Sequence, residues 1–239
     1  MKKSEKFEGI NALKEAGLPM VPFTVLEEKI FEKQIKDFLK KTRSKKFIIR
    51  TGSTKSSNLI GTPGLVDAEL ERDKEKIQKW FADGYLIMAM AYQNIYRNSH
   101  NFNVMRLDKK IVVEVVGRGF VSRDLCFDGH LHEEIVFEPI TFDILKRKVI
   151  SPARYQKSRE KKMRQFGIGE LKKNKSFLLS DEEYIPLDEQ KIKFIKDSYP
   201  RLSRAAKKMG YNNFVASFGY MERVGKEHEP IFWDIYRVR

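Results

Sequence analysis

The chain of 239 residues contains one cysteine, Cys126, so no intramolecular disulfide can form and a cysteine-built zinc site is excluded. It also lacks a long apolar run. Residues 85–91 are the most apolar stretch, far short of the roughly 20 residues that span a bilayer. The opening Met1-Lys2-Lys3-Ser4-Glu5-Lys6 is charged and no signal-like apolar segment follows, so a cytoplasmic protein without membrane contact is expected. No internal repeat or low-complexity tract is visible, and the Gly-x4-Gly-Lys-Ser/Thr pattern of a Walker A loop is missing.

Apolar residues make up 41% of the chain, including 17 Phe, which suffices for a real core in one large domain or two lobes. Charged residues are spread along the chain, which argues against global disorder. Lys and Arg number 47 against 33 Asp and Glu, a net charge of +14 that favours anionic partners such as phosphates or nucleic acid.

Patterning predicts helix and strand in alternation at first. Ser4 caps a helix reaching Ala16, which Gly17-Leu18-Pro19 ends. Residues 22–26 read as a short strand, 27–42 as a helix with a basic C-terminal end, and 47–49 as a buried strand ending at Arg50. Residues 51–64 are turn-rich, and 73–81 are helical again. Strands follow at 85–92, 101–107 and 110–116, the last two joined by a tight turn. Another strand pair is expected at 121–127 and 131–137. Helices are expected at 141–148, 152–166 and 187–209, with Pro200 kinking or dividing the last. Residues 214–221 and 231–238 close the chain as a hairpin. This order suits a two-lobed α+β protein better than a doubly wound parallel sheet. Residues 1–82 form the lobe with a phosphate-binding loop, and 83–239 the lobe with antiparallel strands, helices and the terminal hairpin.

The 51–64 segment is the first candidate for chemistry. Its glycines let backbone N–H groups approach phosphate oxygens, its hydroxyls add donors, and Arg50 at its mouth offers a bidentate fork. An ordinary connection would have the same composition. Upstream, Lys6-Phe7-Glu8-Gly9-Ile10-Asn11-Ala12-Leu13-Lys14-Glu15-Ala16-Gly17-Leu18-Pro19-Met20-Val21-Pro22 resembles the start of the ATP-binding domain of pyruvate phosphate dikinase and phosphoenolpyruvate synthase. There a lysine, a helix and Ala-Gly-Leu-Pro-x-x-Pro lead into a strand, and Lys6 falls at the family lysine. Ile48-Ile49-Arg50-Thr51-Gly52-Ser53 is similar to the family's Val-Arg-Ser-Ser segment, whose arginine binds ATP phosphates. Ile111-Val112-Val113-Glu114-Val115-Val116-Gly117-Arg118-Gly119 resembles its strand-plus-glycines stretch, and Asp234 sits near the Gln of its Leu-Gln-Ser-Arg-Pro.

The resemblance implies an ATP-grasp fold, with mixed or antiparallel sheets flanked by helices and with ATP and Mg2+ as cofactors. It places Lys6 and Arg50 on phosphates, Arg50 also in a catalytic role, with Gly52, Ser53, Thr54 and Gly61 in the covering loop. Glu114 would contact the cofactor and share metal binding with Asp234. Phosphoryl transfer by a kinase-like transferase, or ATP-driven activation of an acceptor, would follow. Net charge favours an anionic or nucleic-acid acceptor. Three positions depart from the family. Phe214-Val215-Ala216-Ser217-Phe218 carries no acid where the family has a metal-binding Glu, Lys55 and Ser56 replace an acidic pair, and Leu86-Ile87-Met88-Ala89-Met90 lacks a glutamine. No swivel domain or pyruvate barrel follows, so a stand-alone kinase or ligase, a partner subunit of a larger enzyme, or a scaffold with decayed catalysis is expected.

Weaker signals remain. Lys6-Phe7-Glu8-Gly9 also fits the Lys-x-Asp/Glu-Gly pattern of nucleotidyltransferase ligases, which with the basic charge gives an RNA-ligase-like alternative, though no later Glu-Gly and Lys-x-Lys pair completes it. His130 and His132, with Asp128 or Glu134, would suit a divalent metal, but alternate residues of a solvated strand are the favoured reading. His100 and His228 read as surface residues, and Cys126 as a packing residue. The basic stretch 147–175, with Tyr155 and Phe166, is either a nucleic-acid groove or the outer face of a helix whose Met163 and Phe166 point inward, the latter preferred.

Overall fold

In the computed structural model, which describes residues 4–53, 62–92, 98–120, 125, 129–165, 183–223 and 226–238, the chain forms two units, each with its own antiparallel sheet. The first comprises Met1–Asn11 and Met20–Asn94, the second Ala12–Pro19 and Ile95–Arg239. Ser4 opens helix α1 (Glu5–Glu15), its carbonyl accepting from the amides of Phe7 and Glu8, both at 2.9 Å. Gly17 ends the helix at φ 74°, a conformation glycine adopts without steric cost.

The first unit holds β1 (Phe23–Leu26), α2 (Phe31–Thr42), β2 (Phe47–Gly52), β3 (Gly64–Ala68), α3 (Leu70–Ala82) and β4 (Leu86–Ala91), in sheet order β1-β4-β2-β3. Phe31, Ile35 and Phe38 of α2 and Ile77 and Trp80 of α3 share a buried core with Phe47, Ile49, Ile87 and Ala89. Strand alternation therefore turns Ile48, Arg50 and Gly52 to the opposite face. Two expectations change. The helix expected from residue 27 starts at Phe31, because residues 27–30 form a turn in which the Ile30 amide bonds the Glu27 carbonyl. The last residue of the expected loop, Gly64, begins β3, whose strand state comes from pairing with β2.

The second unit holds β5 (His100–Leu107), β6 (Lys110–Gly117), β7 (Glu133–Phe137), β8 (Ile144–Val149), α4 (Pro152–Gln165), α5 (Glu189–Lys208), β9 (Phe214–Arg223) and β10 (Lys226–Arg237). Its sheet runs β10-β9-β5-β6-β7-β8, antiparallel throughout. One face is apolar: Phe102, Phe218 and Phe232 stack at 4.5 and 4.6 Å, and α5 covers them with Phe194. The tail Ala12–Pro19 docks on this unit, where Arg201 donates to the Gly17 carbonyl and the Phe232 amide to the Pro19 carbonyl, each at 2.9 Å.

Residues 141–148, expected as a helix, instead run into the edge strand β8. Lys146 and Arg147 reach back to Glu134 and Glu133 of β7, a cross-strand pairing that a helix would forfeit. Pro200 does not divide α5, which continues from Glu189 to Lys208. The strand expected at 121–127 lies outside the described residues, and β7 pairs with β6 and β8.

The charge that fixes β7 is Glu133. Its side chain is fully buried on the apolar face, yet every oxygen is answered. Arg147 donates to Oε1 from Nε at 2.8 Å and brings Nη2 within an ion-pair distance of 2.8 Å, while the Tyr184 hydroxyl and the Leu187 amide donate to Oε2 at 2.8 and 2.9 Å. Removing one partner of a buried pair costs more than the pair contributes, because the remaining group is stranded. Glu133→Ala is expected to lower unfolding free energy by about 3 kcal/mol, and Glu133→Gln by less. Urea titration followed by circular dichroism measures both.

Candidate functional site

In the first unit the structure draws the ends of the 53–62 segment together. The Thr62 hydroxyl donates to the Thr51 carbonyl at 3.1 Å, and the Thr51 hydroxyl donates to the Pro63 carbonyl. Lys6, 56 positions upstream of Thr62, donates to its hydroxyl at 3.3 Å. This approach depends on Gly52: a Cβ there would lie 2.2 Å from Ser4 Oγ, so any side chain would push the start of α1 off β2. Arg50 stands on the same strand face as Gly52, in register with Gly64 and Met88. Lys6 thus meets Thr62 at one end of the segment, and Arg50, Gly52 and Ser53 lie on or just beyond β2 at the other. Thr54 and Gly61 lie outside the described residues, as do Lys55 and Ser56. Lys6 and Glu8 are inside α1, so the Lys-x-Glu-Gly segment is a helical turn.

In the second unit a polar row crosses the sheet face opposite the apolar one. Register places Asp234 of β10 beside Ser217 of β9, then Asn103 of β5, Glu114 of β6, Glu134 of β7 and Lys148 of β8. The Ser217 hydroxyl donates to Asn103 Oδ1 at 2.7 Å, and both side chains are buried. A register shift between Phe232 and Asp234 leaves Phe232 on the apolar face while delivering Asp234 to the polar one. Burial, and then the neighbouring charge of Glu134, push the Glu114 carboxyl above its ordinary range. Glu114 and Asp234 share the row but stand three strand spacings apart, about 14 Å, too far to ligate one ion. Among the described residues no three His, Cys, Asp or Glu side chains group as a metal cage. Sequence reasoning missed Asn103 and Ser217, although two asparagines, 101 and 103, inside an otherwise apolar strand were the available signal.

The histidines overturn their expected placement. His100, His130 and His132 are each at most 3% exposed rather than solvated, because α4 and Tyr184 cover them. The Gly117 amide donates to His132 Nδ1 at 3.0 Å, so the proton sits on Nε2, which donates to Ser158 Oγ at 3.1 Å. Ser158 also bonds His130 Nδ1. The side chain of His228 and all of Cys126 lie outside the described residues. Tyr155 packs against Phe120, His132 and Tyr184 at 2% exposure, so it presents no face on which a nucleic-acid base could stack. Arg147, the first residue of the basic stretch, is in β8. Residues 166–175, and the Met163 side chain, lie outside the described residues.

No protein-family model matches the sequence, and no curated protein matches it. Among solved structures the fold is similar to D-cycloserine synthetase DcsG, with a TM-score of 0.51 at 11% identity over 97% of this chain and 61% of that one. It is also similar to PH1788 from Pyrococcus horikoshii Ot3, with a TM-score of 0.51 at 12% identity over 96% of this chain and 88% of that one. D-alanine-D-alanine ligase from Helicobacter pylori gives a TM-score of 0.48 at 11% identity, over 96% of this chain and 52% of that one. This chain therefore spans only 61% of the synthetase and 52% of the ligase. The fold is α+β and ATP-grasp-like. Among the described residues no helix is long and apolar enough to cross a membrane.

Burial, followed by the nearby His130 and His100, lowers the His132 pKa to about 3 from an ordinary value of 6.5. The buried ring stays neutral while the unfolded chain takes up a proton below pH 6.5. Its contribution is thus intact above that pH and is lost as pH falls toward 3, amounting to about 2 kcal/mol by pH 5. Urea midpoints at pH 7.5 and pH 5 are expected to differ accordingly, and His132→Asn is expected to flatten that difference while lowering stability at pH 7.5.

Proposed function

We propose that this chain binds ATP with Mg2+ and uses it to activate an anionic acceptor, as an ATP-dependent ligase or phosphotransferase of ATP-grasp type. The observation that carries the proposal is the clasped mouth of the 53–62 segment, with Lys6 bonded to its far end and Arg50 one residue before Thr51. Phosphate oxygens need closely spaced cations and N–H or O–H donors. Lys6, Arg50, Ser53 and Thr62 are such a set, and Thr54 and Gly61 belong to the same segment. Residues 1–82 would contribute this phosphate end. Residues 83–239 would contribute the acidic strands and the terminal hairpin.

Magnesium keeps several waters and commonly takes only one or two protein carboxylates besides substrate phosphates. Asp234, with the Ser217 hydroxyl beside it and the Asn103 amide one strand further on, fits that demand without a three-carboxylate cage. Bound metal would supply positive charge against the nucleotide's phosphate oxygens. Glu114, whose carboxyl holds its proton more tightly than usual, suits a proton-handling or cofactor-contacting role better than metal ligation. The order of the Lys6, Arg50 and Glu114 segments supports a module of the pyruvate phosphate dikinase and phosphoenolpyruvate synthase type. The synthetase among its structural neighbours supports ligation over simple phosphoryl transfer. The basic composition supports an anionic acceptor.

Lys6→Ala and Arg50→Ala are each expected to raise the ATP Kd by about 10- to 100-fold, since a bond to a charged group contributes about 1.5–3 kcal/mol. Asp234→Asn is expected to weaken binding only when magnesium is present. Calorimetry on variants with unchanged melting temperature checks all three. If both cation variants bind ATP as tightly as the parent, the assigned phosphate end is wrong.

A further inference from the structure

The outer edge of β8 has features that a mere end of the sheet does not require. All six of its residues are exposed, and among the described residues no strand pairs with its outer side. Ile144 and Leu145 are 44% and 58% exposed, Val149 is 39% exposed, and Ile140 just before the strand is 86% exposed. Solvent-facing lysines on an edge strand are a common defence against unwanted pairing, but a defended edge does not add large apolar side chains to them. Beside the strand lies a pocket of about 490 Å³, bordered by Lys146, Lys148, Val149, Ser151 and Arg154 with Glu134 between them.

Charge decides what this edge would accept. Glu134 compensates Lys146 at 2.6 Å and buried Glu133 compensates Arg147 at 2.8 Å. Among the described residues Lys148 and Arg154 have no ion-pair partner, so the pocket keeps an excess of positive charge. His132 also borders it but is neutral, its Nδ1 being occupied by the Gly117 amide. Pairing β8 with β8 of a second copy would set Lys146, Arg147 and Lys148 against the same residues. Like charges directly opposite one another destabilise a strand pair.

We propose that β8 is a docking edge for an extended peptide whose alternate residues are acidic. Strand addition satisfies the unpaired backbone groups of an edge, and alternation of the added strand divides its side chains between the two sheet faces. Residues on the face of Lys146 and Lys148 would be Asp or Glu, reaching Lys148 and Arg154 across the pocket. Residues on the other face would be apolar, lying against Ile144 and Val149. The register shift at Leu145 limits regular pairing to the stretch from Lys146 onward, so two acidic residues two positions apart suffice. This proposal is independent of ATP binding.

The probe is a synthetic peptide of alternating Glu and Val, labelled with a fluorophore and titrated with the full chain at moderate salt. Saturable binding is expected, with increased amide-exchange protection over residues 145–150. Lys148→Glu combined with Arg154→Glu is expected to weaken it at least tenfold, with melting temperature and ATP affinity unchanged. A peptide N-methylated at alternate backbone amides, identical in charge, is expected to lose binding because it cannot complete the ladder. Equal binding of the N-methylated peptide would overturn the proposal by reducing it to charge attraction. So would absence of saturable binding, or tighter binding of an oligothymidylate that the same charge reversals abolish.

Discussion

A carboxylate removed entirely from water must keep its partners, and in this protein Glu133 dictates much of what surrounds it. Three hydrogen bonds, from Arg147, Tyr184 and Leu187, and the Arg147 ion pair converge on it. They bind β7 to β8 and to the approach to α5. The consequence for function is register. Because side chains alternate along a strand, slipping β7 by one residue would turn Glu133 outward and bury Glu134 in its place. Glu134 would then leave the polar row, and Glu114 would lose the neighbour whose charge helps raise its pKa. The buried charge therefore holds one polar face of the sheet in alignment from the other side.

The first unit relies on a different device, close approach of backbone. Gly52 lets Ser4 and the first turn of α1 settle against the end of β2, and that contact brings Lys6 to Thr62. The clasp of Thr51 with Thr62 and Pro63 then holds the two ends of the connecting segment together. The Lys6 ammonium and the Thr62 hydroxyl become neighbours although the chain separates them widely. Phosphate recognition asks for little else: positive charge, short donors, and backbone free of bulky side chains.

Much of the fold was legible because its signals are local. The cap at Ser4 and stop at Gly17, the tight turn after β5, the amphipathic run of α2 and the closing hairpin all depend on neighbours in sequence. What was not legible depends on distant partners. The segment Ile144-Leu145-Lys146-Arg147-Lys148-Val149 has no decisive period, and becomes a strand because Glu133 and Glu134 wait on β7. His130 and His132 alternate as solvated strand residues do, yet Ser158 and Tyr155, more than twenty residues later, enclose them. In the candidate site, Lys6, Arg50, Glu114 and Asp234 came from short motifs. Asn103 and Ser217 did not, since their meaning appears only when β5 and β9 lie side by side. The distance between Glu114 and Asp234 was equally invisible until strand order was known.

On the proposed reading, Lys6 and Arg50 serve a magnesium nucleotide, and the general positive charge does not serve any polyanion alike. Calorimetry of the unaltered protein at moderate salt, with ATP in the presence and absence of magnesium and with AMP and a short RNA as comparisons, tests it most directly. Saturable binding of ATP that strengthens with magnesium, is weak for AMP and changes little with salt is expected. No ATP binding, together with RNA binding whose affinity falls steeply with salt, would contradict it and assign the function to the basic surface.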